Sequence, residues 1–152
     1  MPNRAFTVYR RDLPHWRLDG ATYFLTWCLH RRQSDLEPNE RTIVLEVMRF
    51  ADGRDFRLSA AVVMNDHVHA VVAPGSGHQL TTIQHSWKSF SAFRLQRESW
   101  RRGKIWQDEA FDRIVRDDRA LNRFVAYVRL NPSRRWPEIR SYPWLWLGDT
   151  PG

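Results

Sequence analysis

The stretch at 62–74, VVMNDHVHAVVAP, constrains the fold of this chain more than any other. Two apolar, β-branched runs flank Asn65-Asp66, a pair typical of a tight turn, so the stretch predicts two strands joined as a hairpin. Side chains alternate between the two faces of a strand, which places His67 and His69 on one face. Two imidazoles on a rigid sheet form half of a metal site, although two solvated histidines fit the same spacing.

The pattern of apolar residues predicts the elements on either side of this hairpin. Apolar runs, helical periodicity and turn residues indicate a strand at 22–29, a helix at 38–50, strands at 56–64 and 67–73, and a helix at 80–99.

The C-terminal third of the chain predicts one more strand and one more helix. A short fourth strand is expected at either 103–106 or 113–115. The last helix is expected to begin at Asp117 or Asp118, since acidic residues suit a helix N-terminus. We expect it to stop at Asn131-Pro132, because a residue before proline disfavours the helical conformation.

This order of elements is that of an α+β fold, the ferredoxin-like split βαβ sandwich. We expect an antiparallel sheet with its helices on one face and the histidines on or near the open face. Because no repeat or second domain is visible, residues 1–152 are predicted to form a single domain. A basic and aromatic arm at 1–20 and an irregular tail at 134–152 are expected to flank its body.

The charge of the chain favours a polyanionic partner. Its formal net charge is +7, and only two of its 24 basic residues, Lys88 and Lys104, are lysines. Arginine clamps phosphate with two hydrogen bonds and stacks on bases, so this excess favours nucleic acid. A GC-rich genome also enriches arginine, and the two explanations are not exclusive.

Composition also argues against several other classes of protein. Cys28 is the sole cysteine, which excludes a disulfide framework and a cysteine-based zinc site. No apolar run is long enough to span a bilayer, and the N-terminus lacks the apolar core of a signal peptide. The cytoplasm is therefore the expected compartment, and no membrane partner is expected.

A tyrosine and an asparagine in the last predicted helix add chemistry to the histidine pair. Tyr127 and Asn131 are four residues apart, so they share one face of the helix. A tyrosine hydroxyl attacks a phosphodiester when a divalent cation polarises the phosphate, and two histidines with one amide oxygen can hold such a cation. Each residue also has a plainer interpretation: Tyr127 as a core residue and Asn131 as a helix stop.

These motifs resemble the HUH-type single-tyrosine transposases of bacterial insertion sequences, and more closely the REP-associated tyrosine transposases. The resemblance runs in order along almost the whole chain, through residues 20–26, 63–69, 87–90, 105–107, 111–116, 127–132 and 141–144.

The resemblance implies a role for each residue of the constellation. His67 and His69 would bind Mg²⁺ or Mn²⁺, with Asn131 as the third ligand. Tyr127 would be the nucleophile that attacks single-stranded DNA, leaving a 5′-phosphotyrosine link and a free 3′-hydroxyl.

The resemblance also implies a substrate and an assembly. The DNA would be a hairpin formed by a short palindromic repeat, with a flanking tetranucleotide that guides the cut. The protein would act as a monomer or a homodimer. The residues expected to hold the DNA are Lys88, Arg94, Arg113, Arg116, Arg134 and Arg135.

The chain departs from the family pattern at two points. Asn65-Asp66 stands where Pro-Asn is usual, and the residues at 133–136 replace a run that ends in Gly-Leu.

Two other functions compete with that of a transposase. One is a non-catalytic binder of structured single-stranded DNA or RNA, which would need none of the four site residues. The other is an RNA-processing nuclease, which would have no use for Tyr127.

Overall fold

A computed structural model describes residues 21–148, so the predicted arm at 1–20 and the last four residues of the tail lie outside the described part. The strands are β1 (Thr22–Leu29), β2 (Phe56–Val63), β3 (His67–Pro74), β4 (Trp106–Val115) and β5 (Leu145–Leu147). The helices are α1 (Pro38–Arg49), α2 (Leu80–Glu98) and α3 (Asp118–Arg135). Within 21–148, no helix is long and apolar enough to cross a bilayer.

The strands form one antiparallel sheet in the order β4-β1-β3-β2-β5. The predicted hairpin between β2 and β3 is present, and the N–H of Met64 donates to the carbonyl of His67 across its turn at 2.8 Å. The order of the first four strands is that of the split βαβ arrangement. The α+β, ferredoxin-like fold class is thus confirmed.

The larger core lies between one face of the sheet and helices α1 and α2. Leu25, Trp27 and Leu29 of β1 point into it at alternate positions. The Trp27 ring lies 5.7 Å from that of Trp87 on α2 and 6.0 Å from that of Trp106 on β4. This face therefore consists almost wholly of apolar packing.

Helix α3 lies on the other face, which corrects the expectation that all helices share one side of the sheet. Phe124 and Val128 of α3 pack in a second core with Val62 and Val71 of the sheet. An apolar stripe on a helix needs an apolar partner, and the inner strands supply one on this face. Asp117 caps the start of α3 by accepting the N–H of Ala120 at 2.8 Å, as its sequence position predicts.

The end of α3 also differs from the prediction, because the helix runs through Pro132 to Arg135. A proline in the last turn removes only one backbone hydrogen bond, and packing offsets that loss. The N–H of Trp136 donates to the carbonyl of Pro132 at 2.8 Å, and Trp136 packs against the second core. The tail predicted at 134–152 is therefore helical at its start, and it contains β5, which pairs with β2.

Strand β4 is longer than either stretch predicted for it. It runs without a break over 106–115 at the edge of the sheet. Half of its residues are exposed and its middle is acidic, so the sequence lacks the alternating pattern that would predict a strand.

Candidate active site

Strand β3 presents both histidines to the face that carries α3. Their ring centroids lie 4.7 Å apart, with the planes at 74°. Thr26 of β1 lies opposite His69, and Cys28 lies opposite His67. The predicted placement of the two imidazoles on one face is thus confirmed.

The environment of His69 keeps its ring neutral. The residue is only 6% exposed, and burial, followed by the nearby His67, lowers its pKa to about 3. The ring nitrogen Nδ1 lies 2.8 Å from the hydroxyl of Thr26. When Nδ1–H donates to that hydroxyl, Nε2 carries a free lone pair, which is the form that binds a metal.

His67 is oriented by a carboxylate and is less buried. Its Nδ1 lies 2.7 Å from Oδ1 of Asp66, and its side chain is 27% exposed. A carboxylate partner on one nitrogen fixes the orientation of an imidazole and leaves the other nitrogen for a ligand. The two histidines are thus both engaged through Nδ1, so both can offer Nε2.

Tyr127 projects from α3 onto the histidine pair. Its ring lies 5.3 Å from the ring of His69, and Phe24 of β1 contacts both rings, at 5.4 Å from His69 and 5.7 Å from Tyr127. The guanidinium of Arg134 lies over the Tyr127 ring, at 5.0 Å from its centroid. Because Tyr127 is 36% exposed, a substrate can reach it.

Asn131 lies one helical turn after Tyr127 and is 7% exposed. Its side chain forms no hydrogen bond with any residue of 21–148, so its amide oxygen is available as a ligand. Within the same residues, no cluster of three or more His, Cys, Asp or Glu side chains is suited to a metal. Two imidazoles and one buried amide nevertheless fit a divalent ion whose remaining ligands are phosphate or water oxygens.

The arginines predicted to hold DNA fall into two groups. Arg113 lies opposite Phe24 in the sheet, hence on the face of the histidines, and Arg116 is exposed just beyond β4. Arg134 and Arg135 are exposed at the end of α3. The structure thus brings Arg113 and Arg134 to the side of the sheet that carries the site.

Lys88 and Arg94 lie on α2, which covers the opposite face, and both have protein partners. The ammonium of Lys88 donates to the carbonyls of Gln107 and Asp108 at 2.6 and 3.1 Å. Arg94 pairs with Glu46 at 3.0 Å and with Glu98 at 2.6 Å. The structure does not bring these two residues to the site, and their role in DNA binding stays a prediction.

Two residues that contact the site, Phe24 and Thr26, were not predicted as part of it. They alternate on β1, so they share a face, and this much is visible in the sequence. The pairing of β1 with β3, which sets them beside His69, is not visible in the local pattern.

Two solved structures have similar folds at 18% sequence identity. A structure described as a REP-associated tyrosine transposase bound to a REP hairpin has a TM-score of 0.64 and covers 93% of this chain and 92% of its own. A protein of Deinococcus radiodurans R1 classed as a transposase has a TM-score of 0.54, over 80% of this chain and 96% of its own.

Two comparisons of sequence agree with this similarity. A Haemophilus influenzae protein classed as a REP-associated tyrosine transposase is 23% identical in an alignment 168 positions long that covers 93% of each chain. The sequence model of the family "Transposase IS200 like" matches residues 18–131, which include the histidines, Tyr127 and Asn131. Because this match covers well over half of the chain, the protein belongs to the family of IS200-like transposases.

Proposed function

We propose that this transposase cleaves and rejoins single-stranded DNA at hairpins formed by palindromic repeats, through a 5′-phosphotyrosine link at Tyr127. The observation that carries the proposal is the placement of Tyr127 against His69, with their ring centroids 5.3 Å apart on one face of the sheet. The family match supports a DNA-cleaving enzyme. The relative described as bound to a REP hairpin supports a hairpin substrate.

His67, His69 and Asn131 would hold Mg²⁺ or Mn²⁺. Both imidazoles are engaged at Nδ1, and the buried Asn131 amide has no partner among the described residues, so all three have a free donor atom. When bound, such an ion withdraws charge from a phosphodiester oxygen and makes the phosphorus more electrophilic.

The proposed reaction conserves the number of phosphodiester bonds. The hydroxyl oxygen of Tyr127 forms a bond to phosphorus as the bond from phosphorus to the 3′-oxygen breaks. The phenolic proton is lost, and the departing 3′-oxygen gains a proton, so the upstream strand ends in a 3′-hydroxyl. Attack by another 3′-hydroxyl on the phosphotyrosine reverses these steps, which rejoins DNA and frees Tyr127.

Residues around the tyrosine would hold the strand for this attack. Arg113 and Arg134 are exposed on the side of the site and Arg116 is exposed just beyond β4, where they can pair with phosphates. Arg134 also packs on the Tyr127 ring, and this contact would help to hold the ring beside His69.

The test is covalent capture of hairpin DNA made from palindromic repeats of the host genome. The DNA is labelled at its 3′ end, because the downstream fragment is the one that would stay on the protein. With Mn²⁺ present, the wild-type protein should give a labelled protein band on a denaturing gel, and EDTA should abolish it. Tyr127→Phe should lose the band, while Tyr23→Phe, a half-buried tyrosine of β1, should keep it.

Two other results would select the competing functions. Binding of hairpins without any covalent band would indicate a non-catalytic binder. Cutting that survives in Tyr127→Phe would indicate a nuclease that uses water in place of the tyrosine.

A further inference from the structure

The proposed metal site takes its ligands from two separate elements. His67 and His69 belong to β3, whereas Asn131 belongs to α3. Ligand distances in a metal site stay within about 0.2 Å of their usual values, so the three donor atoms can share one ion only if the helix is correctly placed. The contacts that hold α3 against the hairpin therefore determine whether the three ligands meet.

Within residues 21–148, helix α3 contacts the sheet through side-chain packing, and no hydrogen bond runs directly from the helix to a strand. Val128, for example, packs with Val62 and Val71 in the second core. Apolar attraction has no preferred direction, so it fixes the position of a helix less closely than a hydrogen bond does.

Tyr142 provides a directional link between the two elements. Its ring stacks on that of Trp136, with the centroids 5.6 Å apart and the planes at 25°. Its hydroxyl donates to the carbonyl of Val63 at 2.7 Å. Trp136 directly follows α3, and Val63 is the last residue of β2. One side chain thus contacts both the end of the helix and the end of the strand that precedes the histidine turn.

The helix end of this link is tied to Asn131. The N–H of Trp136 donates to the carbonyl of Pro132 at 2.8 Å, and Pro132 directly follows Asn131. Trp136 also packs against the second core, which contains Val128 of α3. It belongs to the run at 133–136, where the chain departs from the family pattern. The position of Trp136 therefore helps to determine that of the Asn131 amide.

The strand end of the link is tied to His67. Val63 is fully buried, so water would not replace the Tyr142 hydroxyl on its carbonyl. The N–H of Val63 donates to the carbonyl of Trp144 at 3.0 Å, so one segment holds both of its polar backbone groups. Met64 comes next, and its N–H donates to the carbonyl of His67 across the turn at 2.8 Å. A shift of Val63 would therefore move the turn from which β3 begins.

We propose that Tyr142 is a positioning residue of the metal site, an inference that rests on the proposed function. By joining Trp136 to Val63, it holds the Asn131 amide at the distance from the histidine pair that one ion requires. Tyr142 acts on the ion only through these residues. Loss of its hydroxyl should therefore weaken metal binding by displacing Asn131.

The first test is a double-mutant cycle on Mn²⁺ affinity, measured by calorimetric titration without DNA. Tyr142→Phe keeps the ring and removes the hydroxyl, and it should weaken Mn²⁺ binding about 10-fold, the low end of the loss typical when a residue that supports a ligand is changed. In an Asn131→Ala background the same change should have no further effect, because no amide is left to place. Tyr23→Phe, the same change in a half-buried tyrosine of β1, should leave the affinity unchanged.

A second pair of variants tests the helix end of the link. Trp136→Leu keeps an apolar side chain against the second core but removes the stacked ring, so it should also weaken Mn²⁺ binding. Adding Tyr142→Phe to this variant should weaken binding little further, because both changes break the same link. Trp100→Leu, which changes an exposed tryptophan just after α2, should leave the affinity unchanged.

Three results would overturn the role of Tyr142. They are wild-type affinity in Tyr142→Phe, an equal loss of affinity with and without Asn131, and additive losses for Tyr142→Phe and Trp136→Leu.

The same titrations separate this inference from the proposed function. If Asn131→Ala binds Mn²⁺ as tightly as wild type, the proposed ligand set is wrong and the inference fails with it. If Asn131→Ala weakens binding but Tyr142→Phe does not, the ligand set stands and only the role of Tyr142 is wrong.

Discussion

At the scale of single residues, the hydrogen bond between Thr26 and His69 controls what the histidine can do. A neutral imidazole has one protonated and one unprotonated nitrogen, and the hydrogen-bond partner of Nδ1 determines which nitrogen carries the proton. Thr26 is therefore a positioning residue, since it would act on the metal only through His69. Asp66 holds the same place for His67.

Thr26→Val keeps the shape of the side chain but removes the hydroxyl, so the His69 ring should lose its preferred tautomer. Loss of such a partner typically lowers metal affinity by about 10- to 100-fold. Calorimetric titration of the protein with Mn²⁺ measures this directly, without any substrate. Thr26→Ser should restore affinity, and a valine variant that binds Mn²⁺ as tightly as wild type would disprove the role.

The low pKa of His69 predicts how stability depends on pH in the metal-free protein. The pKa of His69 is about 3 in the folded protein, against an ordinary value of 6.5 for a histidine in an unfolded chain. The unfolded chain therefore binds the proton more tightly. The free energy of unfolding should therefore be highest above pH 6.5 and fall as the pH drops toward 3.

Where unfolding takes up one whole proton, the free energy of unfolding falls by about 1.4 kcal/mol for each pH unit. Urea unfolding measured between pH 6.5 and 4.5 should detect this fall. His69→Gln has no proton to gain there, so its unfolding free energy should depend less on pH. Equal pH dependence in the two proteins would show that His69 is not held neutral by the fold.

At the scale of elements, a buried ion pair supports the loop that faces the histidine hairpin. Arg101, just after α2, pairs with Glu40 of α1, and their side chains are only 8% and 4% exposed. Burial raises the pKa of Glu40, but its hydrogen bonds with Arg101 and with the Glu37 backbone outweigh that effect and lower it. Arg101 also donates to the carbonyls of Ser34 and Asp35, at 2.8 and 2.9 Å.

That loop in turn contacts the hairpin. Nδ2 of Asn65 donates to the carboxylate of Asp35 at 3.0 Å, and the N–H of Leu36 donates to the carbonyl of Asn65 at 2.7 Å. The position of the turn before His67 thus depends on contacts that begin at Arg101.

Glu40→Gln leaves Arg101 buried without its counter-charge, which typically costs about 3–5 kcal/mol. Urea unfolding should show a loss of this size. Glu98→Gln, in the exposed pair with Arg94, should change stability far less, because water screens that pair. Similar losses of unfolding free energy in both variants would mean that the buried pair stabilises the protein no more than the exposed pair does.

The sequence was informative for elements with a strong local pattern. Strand β1 and the hairpin of β2 and β3 lie within a residue of their predicted bounds, because β-branched runs end there at turn residues. Pro132 misled the prediction of the end of α3, since its effect depends on the packing of Trp136. The acidic middle of β4 gave no strand pattern, because this edge strand exposes half of its residues.

At the scale of the whole molecule, arginines on the two faces of the sheet differ in whether acidic side chains pair with them. On α2, Arg94 is paired with Glu46 and Glu98. Those around the site, such as Arg113, are exposed. Which face α3 covers is a tertiary property, so neither this division nor the contact of Tyr127 with His69 could be read from local pattern.

This division predicts the salt dependence of DNA binding. Each phosphate contact contributes roughly 0.7 to 0.9 to the slope of log affinity against log salt concentration. Arg113→Gln should reduce the magnitude of that slope by about this amount, and Arg94→Gln should leave it unchanged. Fluorescence anisotropy of a labelled hairpin at several salt concentrations gives both slopes, and the reverse order would place the DNA on the face that carries α1 and α2.

The most direct test of the central claim is to identify the residue that carries the DNA. The covalent product is digested with protease and nuclease, and the peptide that retains a nucleotide is sequenced by mass spectrometry. The account predicts a 5′-linked nucleotide on Tyr127. A nucleotide on Tyr23, Tyr142 or any other residue would contradict it, as would cleaved DNA with no modified peptide.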